Sequence, residues 1–320
     1  MGFKRFNVII LAVISLVALT ACRQETNKTS KTVKVGIIQY AEHSALDEAR
    51  KGFIEGLSEG GYKKGKNLKL TIKNAQGDQS NLQTMVDQLA GKNDLNFAIA
   101  TPAAQALLNA DQETPEVFTA VTDPVAANLV DSLSKPGGNM TGTIDATNVS
   151  DQINLLTKVA PKAKTVGIFY NSSEVNSEAQ AKQAKEALEK KGIKVVEKTV
   201  TSTNDVQQVM TSLAKQVDAV YLPTDNTVAS TATTIGDILK DAKIPSIGSD
   251  EAYLNAVLFT SGVNYHAIGK QAGKQAVSIL KGKNPAEVKV GKPKKTTIAV
   301  NEDMAKVLNI KPETIKSFAD

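Results

Sequence analysis

The chain contains two similar halves, and this internal repeat constrains the fold more than any other feature of the sequence. The segment VGIIQY begins at residue 35, and VGIFYN begins at residue 166. Each is a short apolar run that ends in polar residues and leads into a helical pattern, which is typical of a buried parallel strand followed by a helix. The segments QTMVDQLA and QQVMTSLA, at residues 83 and 207, continue the match. An offset of roughly 120 to 130 residues between the halves predicts two similar lobes.

Strand and helix patterns alternate through both halves. The predicted strands lie at residues 34–40, 67–73, 97–100 and 117–121 in the first half, and at 166–170, 193–196, 219–222 and 245–248 in the second. Alternating strands and helices require parallel sheets with helices on both faces. We therefore predict an α/β fold of two similar αβα lobes, whose parallel sheets are joined by a hinge.

Residues 136–148 are rich in Gly, Thr and Asn and are predicted to cross between the lobes. We expect the first lobe to comprise residues 33–143 with about 265–290, and the second 144–264 with about 291–320. Ser80 is expected to cap the second helix, and residues 228–240 are expected to form one continuous helix.

The N-terminus has the layout of an export signal. Lys4 and Arg5 precede an apolar run at residues 8–19, which is shorter than the roughly 20 residues of a membrane-spanning helix. The sequence Leu-Thr-Ala-Cys follows and resembles the lipobox of bacterial lipoproteins. We expect residues 1–21 to be a signal peptide, Cys22 to carry the lipid, and residues 22–32 to be a polar tether. The protein is then exported and anchored to the outer face of the cell membrane.

Composition argues against catalysis, metal binding and nucleic-acid binding. The chain has one Cys and two His, and it contains no HExxH, GxSxG or Cys/His cluster. We expect no catalytic residue, no metal and no cofactor, and His43 is expected to be a surface or hydrogen-bonding residue. The formal charge of +5 is consistent with a solvated basic surface, and we expect no nucleic-acid partner because an exported chain rarely meets one.

Polar residues follow the predicted strands in both halves. Ligands of open α/β sheets bind beyond the carboxyl ends of the strands, so both sets are expected to meet in one cleft. Helix caps and turns favour the same residue types, but their recurrence in both halves favours a cleft. The candidates are Tyr40, Thr101, Thr122 and Asp123 in the first half, and Asn171, Ser172, Ser173, Glu174, Asp225, Asn226 and Asp250 in the second.

These side chains suit a small zwitterion. Helix N-termini and hydroxyl groups bind a carboxylate. A carboxylate side chain pairs with an ammonium, and the candidates for it are Asp225, Glu174 and Asp123. Tyr40 offers an aromatic wall.

At these residues the sequence resembles the solute-binding lipoproteins of ABC transporters, of the tryptophan-binding (TrpX-like) type. The resemblance extends over essentially the whole mature chain. It implies the type I periplasmic-binding-protein fold, a permease and ATPase as partners, and ligand contacts from most of the residues above together with Asn176. The motifs that carry it are KVGIIQYAEHSALDEARKGF, NAQGDQSNLQTMVDQL, FTAVTDPVAANLV with PGGNMTG, VGIFYNSSEVNS and VYLPTDNTV.

Three functional hypotheses follow. The first is an extracytoplasmic lipoprotein that captures an amino acid, most simply aromatic (tryptophan or phenylalanine), between two closing lobes and delivers it to an ABC permease. The second keeps the fold and changes the ligand to a sugar or nucleoside. The third is an exported hydrolase that uses Asp and His, and the missing motifs argue against it.

Overall fold

Five parallel strands form the first of two sheets in the structure, a computed structural model that describes residues 32–318. They lie side by side in the order β2-β1-β3-β4-β5. Helices follow the first three strands, since parallel neighbours require a crossover. We call this sheet and the helices packed on it the first lobe. Its elements are β1 (Val33–Gln39), α1 (Ser44–Glu59), β2 (Leu68–Asn74), α2 (Gln79–Asp87), β3 (Leu95–Ile99), α3 (Thr101–Ala110), β4 (Glu116–Val121) and β5 (Met140–Ile144).

The second sheet has six strands, in the order β11-β10-β9-β8-β6-β7. All neighbours are parallel except β10 and β11. We call this sheet and its helices the second lobe. Its elements are α4 (Val149–Val159), β6 (Thr165–Asn171), α5 (Val175–Glu189), β7 (Lys194–Val200), α6 (Val206–Ala214), β8 (Ala219–Leu222), α7 (Asn226–Ala229), α8 (Ala232–Ala242), β9 (Ser246–Gly248), β10 (Phe259–Gly262), β11 (Thr297–Val300), α10 (Glu302–Val307) and α11 (Pro312–Lys316).

The chain passes between the lobes three times. It leaves the first lobe after β5, returns after β10 through α9 (Tyr265–Leu280), and enters the second lobe again at β11. Although α9 follows β10, it packs on α1, β4 and β5 of the first lobe. A Cβ at Gly52 of α1 would collide with the carbonyl oxygen of His266, so glycine is what allows these two helices to lie so close.

The two-lobed α/β architecture predicted from the repeat is confirmed. Two local predictions are wrong because side-chain hydrogen bonds change the helix ends. Asp78, not Ser80, caps α2 by accepting a bond from the Asn81 N–H. The helix expected at 228–240 is two helices, since the hydroxyls of Ser230 and Thr231 bond to carbonyls three residues back and compete with helical bonds.

The crossover predicted at 136–148 is wrong for residues 140–144, which form the edge strand β5. Its Gly and Thr content is typical of a loop, but pairing with β4 buries all five residues. Gly142 is required there because a Cβ would collide with the carbonyl oxygen of Phe118.

Residues 1–31 lie outside the described residues. The predicted signal peptide, Cys22 and all of the tether except Thr32 therefore lie outside them too. Within residues 32–318, no helix has the length and apolar character needed to cross a membrane. The same residues contain no group of three His, Cys, Asp or Glu side chains arranged to hold a metal ion.

Glu116 is a buried acid at the start of β4, at the end of the sheet away from the cleft described below. It is 0% exposed, and neither carboxyl oxygen has a hydrogen-bond partner among the described residues. Burial, helped by the charge of Asp111, raises the pKa of Glu116 to about 9. The acid is therefore protonated at neutral pH.

We predict that Glu116→Gln stabilises the protein in a pH-dependent way. Because the folded pKa lies above the unfolded value near 4.5, Glu116 reduces stability progressively as pH rises from there towards 9. Gln, which has nearly the same shape and never ionises, should raise the free energy of unfolding by about 3 kcal/mol at pH 7 and by little at pH 4. Denaturant unfolding across this range is the measurement. Exposed Glu287→Gln is the control, and an equal gain at both pH values would contradict the prediction.

Candidate functional site

A cleft lies between the two lobes, where the carboxyl ends of both sheets face each other. Its outer part is a cavity of about 750 Å³ with Tyr40 and Thr101 on one side and Asn171, Ser173 and Val175 on the other. This volume falls in the range of about 300–1,000 Å³ that is usual for ligand sites.

An inner cavity of about 160 Å³ continues from the outer one, since Thr101 and Val175 line both. Thr122 and Asp123 line it from the first lobe, and residues 146–147 line it from the first crossover. From the second lobe, Asn176 and Gln180 complete it on the face of α5.

The two threonines of the first lobe are held in place by a strained backbone. Ala100 precedes Thr101 with φ 85° and ψ 154°, a conformation that is costly for any residue with a Cβ. Ala120 has φ 55° at the point where the register between β4 and β5 shifts, two residues before Thr122. Such strain, found at the ends of two adjacent strands, is typical of functional sites.

In the second lobe, Glu174 organises the loop that follows β8. One of its oxygens accepts from the backbone N–H and the side chain of Asn226. The other accepts from the N–H and hydroxyl of Thr227, both at 3.0 Å. Glu174 is 1% exposed, and all four of these hydrogen bonds come from its own lobe.

Asp225 is also hydrogen-bonded within its own lobe. Its two oxygens accept from the N–H of Asn171 at 2.6 Å and from the N–H of Val228 at 2.8 Å, which makes it the N-cap of α7. Burial and the nearby charge of Glu174 raise its pKa well above the usual aspartate value.

The backbone of Thr224 orients two amides at the inner cavity. Its carbonyl oxygen accepts from Asn176 Nδ2 at 2.9 Å, and its N–H donates to Gln180 Oε1 at 2.7 Å. These bonds fix which end of each amide is oxygen and which is nitrogen. They leave Asn176 Oδ1, an acceptor, and Gln180 Nε2, a donor, buried without partners among the described residues.

The lobes touch across the cleft. His43 Nε2 of the first lobe lies 3.4 Å from Asn226 Oδ1 of the second. Burial lowers the pKa of His43 to about 4, so the ring is neutral at pH 7. Burial and the charge of Glu174 raise the pKa of Tyr40 to about 12. His43 and Tyr40 are therefore neutral at pH 7, and His43 contacts a second-lobe loop that is already hydrogen-bonded to Glu174.

A group of acids lies at the hinge, at the base of the cleft. The hydroxyl of Tyr265 donates to Asp145 Oδ2 at 2.9 Å, and Asp250 interacts with the same tyrosine. The N–H of Tyr265 donates to Glu251 at 3.3 Å. Burial is the main cause that raises the pKa of Asp145 and of Asp250 to about 6, and that of Glu251 to about 7.

The residues predicted from sequence fall into three groups. Those that line the cavities are Tyr40, Thr101, Thr122, Asp123, Asn171, Ser173 and Asn176. Ser172 is exposed and lines neither cavity, while Asp250 lies at the base of the cleft. Those that hold the second lobe's loops together are Glu174, Asp225 and Asn226.

Sequence reasoning missed Gln180, Val175 and Asp145. Gln180 lies inside a helix, where its spacing gives no signal that it faces a cavity. Val175 is apolar but 46% exposed, at the first turn of α5. Asp145 follows β5, whose Gly and Thr content is typical of a crossover, so no local signal marks it as a strand-end residue.

We predict that Asp225→Ala acts first on stability. It leaves the buried N–H groups of Asn171 and Val228 without acceptors, which costs roughly 1–3 kcal/mol for each group. Chemical denaturation of the variant is the measurement, with exposed Asp237→Ala on α8 as the control. Unchanged stability combined with lost ligand binding would instead show that this carboxylate serves the ligand.

Known proteins are similar to this chain in both sequence and architecture. A tyrosine-binding protein from Clostridioides difficile is 39% identical over 319 residues, covering 96% of this chain and 92% of the relative. A substrate-binding domain from Streptococcus pneumonia, solved in complex with L-Trp, is 38% identical with a TM-score of 0.85, covering 90% of this chain and 98% of that one. A ligand-free, open substrate-binding protein from Clostridium difficile is 43% identical with a TM-score of only 0.66, covering 87% and 95%.

The lobes are thus arranged as in the Trp-bound domain more than as in the open protein, in agreement with the contact between His43 and Asn226. The family model for ABC transporter substrate binding proteins matches residues 34–320. The chain therefore belongs to the family of ABC transporter substrate-binding proteins.

Proposed function

We propose that this protein binds an aromatic amino acid, tyrosine or tryptophan, between its two lobes and delivers it to an ABC permease. The observation that carries the proposal is the pair of unpartnered groups on α5, Asn176 Oδ1 and Gln180 Nε2. Both residues line the inner cavity, and together they present one acceptor and one donor. A zwitterionic amino acid supplies the complement, since its ammonium donates and its carboxylate accepts.

The first lobe supports the same ligand. Thr101 offers a hydroxyl at the N-terminus of α3, where backbone N–H groups and the helix dipole favour a carboxylate. Tyr40 and Val175 provide an aromatic and an apolar surface at the outer cavity. The two relatives described above, one named for tyrosine and one holding L-Trp, indicate an aromatic side chain.

The proposal includes location and partners. The family acts outside the cytoplasm, and the signal and lipobox at residues 1–22 support a lipid anchor at Cys22 on the outer face of the membrane. The partners are a permease and the small ligand, and the protein acts as a binder without turnover. The similarity to the Trp-bound domain supports a closed arrangement of the lobes, and this closed form docks on the permease.

Direct titration tests the ligand class. The chain contains no Trp, so indole fluorescence reports the ligand alone. We expect bound Trp to show raised fluorescence anisotropy that excess tyrosine reverses, and calorimetry to show saturable binding. Ribose and uridine are the comparison ligands for the alternative class. Absence of saturable binding by Trp, Tyr and Phe would reject the proposal.

We further predict that Gln180→Glu weakens binding selectively. Glutamate keeps an oxygen that accepts from the Thr224 N–H, but it replaces the Nε2 donor with a second oxygen that repels the ligand carboxylate. The expected loss is on the order of 10- to 100-fold in Kd, because a buried unsatisfied or repelled polar group costs about 1–3 kcal/mol. Exposed Gln208→Glu on α6 controls for added charge. Equal Kd values in both variants would place the carboxylate elsewhere.

A further inference from the structure

The acids around the cleft differ in how many of their oxygens are already hydrogen-bonded, and this difference identifies the partner of an incoming cation. Glu174 accepts four bonds from its own lobe, and both oxygens of Asp225 are occupied by backbone N–H groups. An ammonium would have to displace these bonds to pair with either side chain. Neither acid is therefore available without disturbing the loop that it holds.

Asp123, Asp145 and Asp250, which follow strands β4, β5 and β9, are less occupied. Asp123 accepts two loop N–H groups with Oδ1 and is exposed, so water screens its charge. Asp250 caps the turn at Ala252 through Oδ1 at 2.7 Å. Asp145 is 2% exposed and accepts from Tyr265 through Oδ2, whereas its Oδ1 has no partner among the described residues.

The position of Asp145 places it beside the inner cavity. The next two residues, 146–147, line that cavity, and so does Thr122 at the end of β4, the strand paired with β5. The ion pairs recorded within residues 32–318 bring no lysine or arginine to Asp145 or Asp250. Two acids that flank one tyrosine thus lack a compensating positive charge from the described part of the protein.

We propose that Asp145 is the carboxylate that pairs with the α-ammonium of the ligand, an inference that rests on the proposed function. A buried carboxylate with one unpaired oxygen needs a donor, and an ammonium supplies three. Such a pair is strong where closure excludes water, so the contact favours the closed arrangement of the lobes. Asp145 lies on the first crossover between the lobes, so this contact is made at the hinge.

The test is a double-mutant cycle between protein and ligand. Tyrosine is compared with 3-(4-hydroxyphenyl)propanoate, which lacks the amino group, on the wild-type chain and on Asp145→Asn. For the wild-type protein, we expect tyrosine to bind about 100-fold more tightly, or by about 2.8 kcal/mol, because the analogue leaves the buried carboxylate without its charged partner. In Asp145→Asn this discrimination should fall below about threefold, because the same interaction cannot be lost twice.

Two controls keep the outcome interpretable. Exposed Asp237→Asn makes the same chemical change far from the cleft, and it should retain the 100-fold discrimination. If thermal unfolding shows that Asp145→Asn does not fold, Asp145→Ser, which is smaller and equally uncharged, takes its place in the cycle.

Each result has one meaning. Discrimination that persists in the Asp145 variant, or that disappears in Asp123→Asn instead, overturns the assignment of Asp145 while leaving the proposed function intact. If the wild-type protein binds none of tyrosine, tryptophan and phenylalanine, the proposed function itself is overturned. Loss of discrimination in the Asp145 variant alone supports the assignment.

Discussion

Polar groups at the carboxyl ends of parallel strands must find hydrogen-bond partners, and the arrangement of the cleft follows from this requirement. In the second lobe, most of these hydrogen-bond partners come from the same lobe. Glu174 and Asp225 accept backbone N–H groups from the loops that follow β6 and β8, and they bind these loops into one body. Buried carboxyl groups are tolerated when their oxygens are hydrogen-bonded in this way. The second lobe therefore presents to the cleft loops that are hydrogen-bonded to one another.

Within residues 32–318, three side chains in or next to the lining of the inner cavity keep an unpaired polar atom, and the proposals rest on these three. The side-chain amides of Asn176 and Gln180 each form a hydrogen bond with the backbone of Thr224 through one atom, and the other polar atom of each amide has no partner among the described residues. Asp145 likewise uses one oxygen and leaves one. Buried polar atoms without partners are rare in native proteins, and Asn176 and Gln180 both line the inner cavity, so we propose that the ligand contacts these two atoms.

Glu116 shows that an unpartnered buried group alone is not evidence of a ligand site. It lies at the amino end of β4, the end opposite to Thr122, and it lines neither cavity of the cleft. Its effect is on stability, through a raised pKa. The distinction between Glu116 and Asp145 comes from location: one is at the amino end of a strand, the other at the carboxyl end, where the loops of both lobes converge.

The sequence by itself determined the class of fold, the two-lobed repeat and most of the residue types at the strand ends, because these follow from periodicity and from local turn chemistry. Tyr40, Thr101 and Asn171 could be placed at the cleft in this way. Tertiary structure alone decided which polar atoms were already used. Hydrogen bonds such as that between Asn171 and Asp225 join residues 54 positions apart, and no local pattern reports them. Such long-range bonds are the reason that Asp145 replaces Asp225 as the candidate ammonium partner. They also identify Gln180, which lies inside a helix. Only three-dimensional packing decides which buried group is left without a partner.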